Sequence, residues 1–308
     1  MIRFETTPAR PGISRQLGAV VHGADLSREL SPAAFAELLR GVAEHGLLRI
    51  PRQSLDAARL RALSARFGTL ERISANGPGE PGMPEVSILS NIVVDGRPIG
   101  LPDAGQDWHT DMTYNRTVGF VNVLWAIEVP VRDGRTLGGT EFADTQAAYD
   151  ELPDELRAAL ATATARHDFS KFHDHMRANR SSNRPALTEQ QRRERPPVDH
   201  PVFLRHPITG RRSIYVNPGF TVRINGLPDD QSDRMLHRLF DHVLRPEYRH
   251  THHWQPGDVL IWDHLTTWHF ARPDYRPDER RLIKRCQVLA DKVFDPAFVA
   301  AALNPAAP

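Results

Sequence analysis

The segment best equipped for chemistry is Trp108-His109-Thr110-Asp111. An extended His-x-Asp sends its imidazole and carboxylate to one face of a strand, because side chains alternate along it. Two such groups can share a metal ion, and a third ligand must then come from elsewhere. His269 is the candidate. It follows Gly257-Asp258-Val259-Leu260-Ile261-Trp262-Asp263, which reads as turn then strand, and it lies between Trp268 and Phe270. Two histidines and one carboxylate with positions left open form the facial arrangement of non-haem iron(II) oxygenases. A structural His–Asp pair would leave the same tripeptide, so the rest of the C-terminal segment matters. Arg281 and Arg285 stand four apart on a strand suggested by Leu282, Ile283 and residues 286–289, and so face the same side. A guanidinium there can hold a carboxylate bidentately, which suits a dicarboxylate co-substrate. Pairing with the nearby Asp278 and Glu279 is the plainer alternative.

Other histidines carry less. Lys171-Phe172-His173-Asp174-His175 looks like a second cluster, but it falls in a polar stretch, 167–197, with no apparent apolar support to fix ligand geometry. His250, His252 and His253 read as surface residues ahead of the C-terminal strand. His45, beside Gly46, suits a helix C-terminus, where a partly charged imidazole is favourable.

The elements that must position these groups begin with a helix. Ser31 can cap it, Pro32 suits its first turn, Phe35, Leu38, Leu39 and Val42 recur at helical spacing, and Gly46 can end it. Residues 47–50 form a short apolar run, and a second helix through Leu60, Leu63 and Phe67 ends at Gly68. From 71 to 107 periodicity fades and Gly and Pro abound, broken only by the strand-like 86–89; a loop this long tends to be functional. Strand-like runs follow at 120–129, 213–216, 259–262 and 283–289, with helical stretches at 145–163 and 229–244. The pattern predicts a mainly β chain with flanking helices (α+β) arranged as an antiparallel jelly roll. It is read as a single catalytic domain over 1–308, with an active-site loop at about 71–107 and a lid-like excursion at about 167–197.

Bulk properties narrow the function. A net charge of +1 gives no long-range field for nucleic acid or an anionic membrane. No window reaches the roughly 18 consecutive apolar residues of a membrane span. The one cysteine, Cys286, excludes an internal disulfide and reads as packing on a buried strand. With no leader-like N-terminal stretch, a cytoplasmic setting is expected.

Taken together, several motifs resemble the taurine dioxygenase and 2,4-dichlorophenoxyacetate dioxygenase group of 2-oxoglutarate enzymes. They are GAVVHGADLSRELS (18–31), ARFGTLE (65–71), WHTDMTY (108–114), GTEFAD (139–144), HPITGRRSIYVNPGFT (206–221) and the block 254–288, in family order over most of the chain. The resemblance implies a double-stranded β-helix of cupin-like form, with Fe(2+) on His109, Asp111 and His269. It implies that Thr140 and Arg281 hold the distal carboxylate of 2-oxoglutarate. It also implies that Arg285 binds either an anionic substrate or the keto-acid end of that co-substrate. The reaction implied is hydroxylation by O2 and 2-oxoglutarate, with release of succinate and CO2. Relatives that halogenate lack the carboxylate that Asp111 provides, so hydroxylation, or ether cleavage by hydroxylation, is expected here. Asn91, Met112 and Tyr114 are expected beside the substrate, together with the 71–107 loop and the excursion. The chain departs from its group at Trp262-Asp263-His264, where Asn is common third. It departs again at Glu71-Arg72-Ile73-Ser74, where taurine-specific members carry a histidine, which argues against taurine. The expected partner is a small, anionic organic molecule, with no nucleic acid or membrane; a homo-oligomer fits the resemblance. Two alternatives stay open: a larger natural-product or amino-acid-derived substrate, and a non-catalytic metal-binding sensor.

Overall fold

A computed structural model describes residues 2–6, 13, 15–73, 79–179 and 185–305. Residues 74–78 of the expected active-site loop and 180–184 of the excursion lie outside the described residues.

The chain opens with strands β1 (Arg3–Thr6) and β2 (Ala19–His22), then helix α1 (Pro32–His45). Ser31 caps α1 through its hydroxyl, and Gly46 ends it at φ 68, a left-handed conformation that glycine adopts at little cost. Phe35, Leu38, Leu39 and Val42 are buried, so the helical spacing in the sequence marks the true inner face. Strand β3 (Leu47–Ile50) leads to α2 (Ala57–Ala65), then β4 (Gly79–Glu80), β5 (Met83–Ser90) and the long β6 (Gly119–Glu128). The second half supplies β7 (Thr140–Asp144), α3 (Thr145–Asp150), α4 (Asp154–Ala159), β8 (Thr164–His167) and α5 (Phe169–Asn179). It continues through β9 (Val198–Pro201), β10 (Phe203–Arg205), β11 (Arg212–Ile214), β12 (Thr221–Ile224) and α6 (Asp229–Val243). It closes with β13 (Arg249–His252), β14 (Val259–Asp263), β15 (Thr267–Ala271), β16 (Leu282–Leu289) and α7 (Pro296–Leu303).

Eight strands form the large sheet in the order β1-β2-β3-β14-β6-β16-β5-β4, and β13-β7-β15 form a smaller one. Alternation assigns each face. In β14, Leu260 and Trp262 join Leu124, Ala126 and Ile283 beneath Phe142 of the small sheet, whereas Val259 and Ile261 pack with Leu38, Leu60 and Phe67 of the α1–α2 layer. The Phe142 ring meets Trp262 edge-on at 5.3 Å, so the two sheets enclose one apolar layer. Behind the small sheet, Ala143 and Trp268 pack against Ala147, Leu239 and Val243 of α3 and α6. Similarity to solved structures, given below, identifies this arrangement as the jelly roll expected from the sequence. Cys286 is fully buried in the α1–α2 layer, a packing residue as read.

Three expectations need correction. The helix expected over 145–163 is two short helices parted at Pro153, followed by strand β8. Proline lacks the N–H a continuous helix would need. The polar excursion contains α5, whose Phe172, His173 and Met176 are buried; only a few apolar residues mark that face, which hid it. His252 is buried rather than exposed, because β13 pairs with β7 and its ring packs edge-on against Trp254 at 4.7 Å. Among the described residues no helix is long and apolar enough to cross a membrane.

His167 on β8 is fully buried. Burial, with a smaller push from His200, holds its pKa down at about 3, and burial lowers His200 as well. Both therefore fold uncharged. A depressed folded pKa means that stability is complete above the unfolded value near 6.5 and is lost as pH falls towards 3. Each such proton contributes up to about 1.4 kcal/mol per pH unit. Urea unfolding should therefore show lower stability at pH 5 than at pH 7, with a shallower decline in His167→Gln. Equal stability at the two pH values would contradict neutral burial.

Candidate active site

Two backbone hydrogen bonds join the segments that carry the candidate ligands: His109 N–H to His269 O (3.1 Å) and His269 N–H to His109 O (2.8 Å). They form an isolated antiparallel bridge between His109, outside the regular strands, and His269 within β15. This lays the two imidazoles side by side, ring centres 4.1 Å apart. After Asp111 the chain turns at Met112, held at φ 60. Asp111 projects towards both rings, with Oδ1 3.4 Å from His109 Nε2 and Oδ2 3.8 Å from His269 Nε2. One ligand atom from each of the three falls within 4.8 Å of the others, and all three residues are buried.

Hydrogen bonding fixes which atoms face inward. His109 Nδ1 lies 2.7 Å from the Asp107 carbonyl oxygen. That oxygen can only accept, so Nδ1 carries the proton and Nε2 presents its lone pair to the cluster. His269 has no polar partner for Nδ1 among the described residues; its ring is instead wedged beside Trp262 (5.0 Å) and His264 (5.9 Å). Burial first, then His109, push the His269 imidazole well below its ordinary pKa, which favours its neutral form. Burial alone would raise the Asp111 carboxyl, but the contact with His109, the Arg285 guanidinium and His269 override it and hold it well below the usual range. Two imidazole nitrogens and a carboxylate oxygen thus converge in one buried space. The donor set, two nitrogens and one oxygen, suits a divalent first-row metal.

Asn122 donates to Asp111 Oδ2 at 2.9 Å and was not singled out in the sequence. It is the polar residue inside the apolar β6 run, on the inward parity of Leu124 and Ala126, and that interruption was the available signal. Arg285 Nη1 approaches the same Oδ2 at 3.4 Å. Arg281 is buried, and no carboxylate of the described residues pairs with it. Glu279, the neighbour that could have neutralised it, pairs instead with Arg132 at 2.6 Å. Arg281 lies close to Gly138, where an added Cβ would come within 3.3 Å of its Nε. Two residues further along, Thr140 Oγ1 accepts from Trp254 Nε1 at 3.0 Å, leaving its own O–H free to donate.

The residues expected beside substrate divide. Asn91 is an organiser of the 276–281 turn: its side chain donates to Glu279 O (2.9 Å) and accepts from Arg281 N–H (2.9 Å). Met112 is fully buried against Gly119. Tyr114 packs on Phe220 (4.7 Å) and Phe169 (4.9 Å). Phe172, from the excursion, lies 4.8 Å from the His109 ring.

A buried cluster of two histidines and one carboxylate in a jelly roll has the donor types that non-haem iron oxygenases use. Residues 5–287 match the family described as taurine catabolism dioxygenase TauD, TfdA family, and the chain belongs to it. It is a 2-oxoglutarate-dependent dioxygenase, of a family whose chemistry uses Fe(II), 2-oxoglutarate and O2, and the non-catalytic sensor reading falls away. The chain is 34% identical to pentalenolactone F synthase of Streptomyces arenae, over 96% of this chain and 97% of that one. It is 29% identical to the alpha-ketoglutarate-dependent 2,4-dichlorophenoxyacetate dioxygenase of Burkholderia sp. RASC, over 86% and 88%. Among solved structures it is similar to a taurine dioxygenase from Burkholderia xenovorans, with TM-score 0.71 and 27% identity, covering 93% and 90%.

Replacing Asn122 by Leu removes the donor to Asp111 at nearly constant volume. The affinity for Co(II), followed by its visible absorption, should fall by about tenfold, the usual scale for a lost outer hydrogen bond at a metal site. Unaltered affinity would show that Asn122 does not tune the carboxylate.

Proposed function

We propose that His109, Asp111 and His269 hold Fe(II), and that 2-oxoglutarate lies between this metal and Arg281. The observation carrying the second half is the Arg281 guanidinium, a buried cation with no carboxylate partner among the described residues. Burying an unpaired charge is costly. A dicarboxylate whose far end reaches Arg281 removes that cost, and the Thr140 hydroxyl, its acceptor side already filled by Trp254, has a proton to donate there.

Bound Fe(II) and 2-oxoglutarate supply, with O2, the oxidising power to hydroxylate a substrate C–H, releasing succinate and CO2. The chain's own part is binding and shielding. Asn122 and Arg285 keep Asp111 ionised and oriented. Phe172 and Phe220, 4.8 and 6.0 Å from the His109 ring, form an apolar wall that keeps water from the reacting centre. Residues of 71–107 and 167–197 complete the substrate's surroundings within the one catalytic domain. Arg285, facing the centre with its Nε unpartnered, provides the positive charge for an anionic group on a small organic substrate. The 2,4-dichlorophenoxyacetate relative supports that substrate class. A larger natural-product substrate is the second reading, favoured by the 34% identity to pentalenolactone F synthase and by the aromatic wall.

Succinate release with Fe(II), 2-oxoglutarate and O2 tests both readings across aryloxyalkanoates, sulfonates and lactone-bearing natural products. Stimulation by one class, lost in His109→Ala, assigns the substrate; activity surviving in that variant would refute the metal assignment. Arg281→Leu should raise the KM for 2-oxoglutarate roughly ten- to hundredfold, the scale of a lost hydrogen bond to a charged group. Arg281→Lys should recover only part of this, since lysine cannot bind bidentately. An unmoved KM in Arg281→Leu would place the co-substrate elsewhere. In Arg285→Ala, a raised KM for the stimulating substrate supports the anionic class, and an unchanged one counts against it.

A further inference from the structure

We propose that His175 and Asp107 form a latch that ties helix α5 to the metal centre and positions His109 for its ligand role. Resting as it does on the reading of His109 as a ligand, the proposal concerns two residues outside the ligand set.

The chain of contacts is continuous. His175 Nε2 lies 2.7 Å from Asp107 Oδ2. The other carboxylate oxygen of Asp107, Oδ1, accepts from the Trp108 N–H at 2.8 Å, which fixes the carboxylate against its own backbone. The Asp107 carbonyl oxygen, 2.7 Å from His109 Nδ1, sets the proton position and the ring plane of that imidazole. A force on the Asp107 side chain is therefore transmitted to the peptide group that orients His109.

Helix α5 also touches the centre directly, and on the same side. Lys171 Nζ donates to Thr221 O at 2.6 Å. Phe172 packs on both His109 (4.8 Å) and Phe220 (5.1 Å), and Met176 is fully buried. Phe172, His175 and Met176 fall at i, i+3 and i+4, so one helix face carries all three. Gly219 shows how close the fit is: a Cβ there would come within 2.7 Å of the His109 Cβ and 3.1 Å of the Phe172 ring. Gly219, His109 and Phe172 are thus packed together without room for a further methyl group. His175 is 42% exposed as a side chain and Asp107 26%, so the pair adds little to global stability. Its effect is on placement. When the pair opens, α5 loses the polar end of its inner face, and the Asp107 peptide loses the side-chain anchor that holds it under His109.

The test uses the full chain, with Co(II) as the probe. In His175→Ala the affinity for Co(II) should fall about three- to tenfold, and amides of 169–179 should exchange with deuterium faster, while the urea midpoint of global unfolding stays put. His175→Gln, whose side-chain N–H can still reach Asp107, should restore both readings. Asp107→Ala should match His175→Ala, and the double variant should be no worse than either alone. Unchanged Co(II) affinity in His175→Ala would overturn the latch. So would a loss that tracks a lowered unfolding midpoint, since that is general destabilisation. His109→Ala separates the two levels: wild-type Co(II) affinity in that variant defeats the ligand reading itself, and lost affinity leaves the latch to be judged on His175 alone.

Discussion

Everything at the centre of this enzyme depends on the pair of backbone hydrogen bonds between His109 and His269. The two histidines belong to segments far apart in the chain, and no local periodicity brings them together. The bridge does so by continuing β15 onto the end of the 71–107 region. Once it is made, the rings lie 4.1 Å apart with the Asp111 carboxylate beside both, and the chain turns immediately afterwards at Met112, φ 60. A left-handed conformation costs a side-chain-bearing residue some energy. The full burial of Met112 against Gly119 holds it there.

The rest of the fold serves to keep this bridge dry and its groups in one protonation state. The large sheet, the small sheet and α5 enclose the centre from different sides, and each contributes one kind of constraint. β6 brings Asn122 to the carboxylate, β16 brings Arg285 to the same oxygen, and α5 brings an aromatic ring against His109. Burial pushes the His269 imidazole towards neutrality, while the contact with His109 and the Arg285 guanidinium hold the Asp111 carboxyl low and ionised. Those are the forms a divalent metal needs. The same burial leaves the Arg281 guanidinium without a carboxylate partner among the described residues.

Much of this was legible in the sequence, and the reasons differ by element. The His-x-Asp spacing drew attention to His109 and Asp111, and the structure brings both beside His269, although Asp111 lies in a turn rather than on a strand. The α1 helix was readable to its caps because Ser31, Pro32 and Gly46 each act locally. Where meaning depended on a distant partner, the sequence was silent. Asn91, expected beside substrate, has its side chain engaged by the turn that precedes Arg281. His252 looked exposed and is paired into the small sheet. The excursion looked polar throughout, since α5 marks its inner face with only Phe172, His173 and Met176 among charged neighbours. Trp254 and Asn122 gained their roles only from residues they meet across the sandwich.

The most direct measurement of the central claim is a crystal structure of the protein grown without oxygen in the presence of Fe(II) and 2-oxoglutarate. The account predicts a metal ion bound by the Nε2 atoms of His109 and His269 and by an oxygen of Asp111, with the far carboxylate of 2-oxoglutarate on Arg281 and the Thr140 hydroxyl. A metal held by other residues, or a co-substrate whose far carboxylate rests on Arg285 while Arg281 stays unpaired, would contradict it.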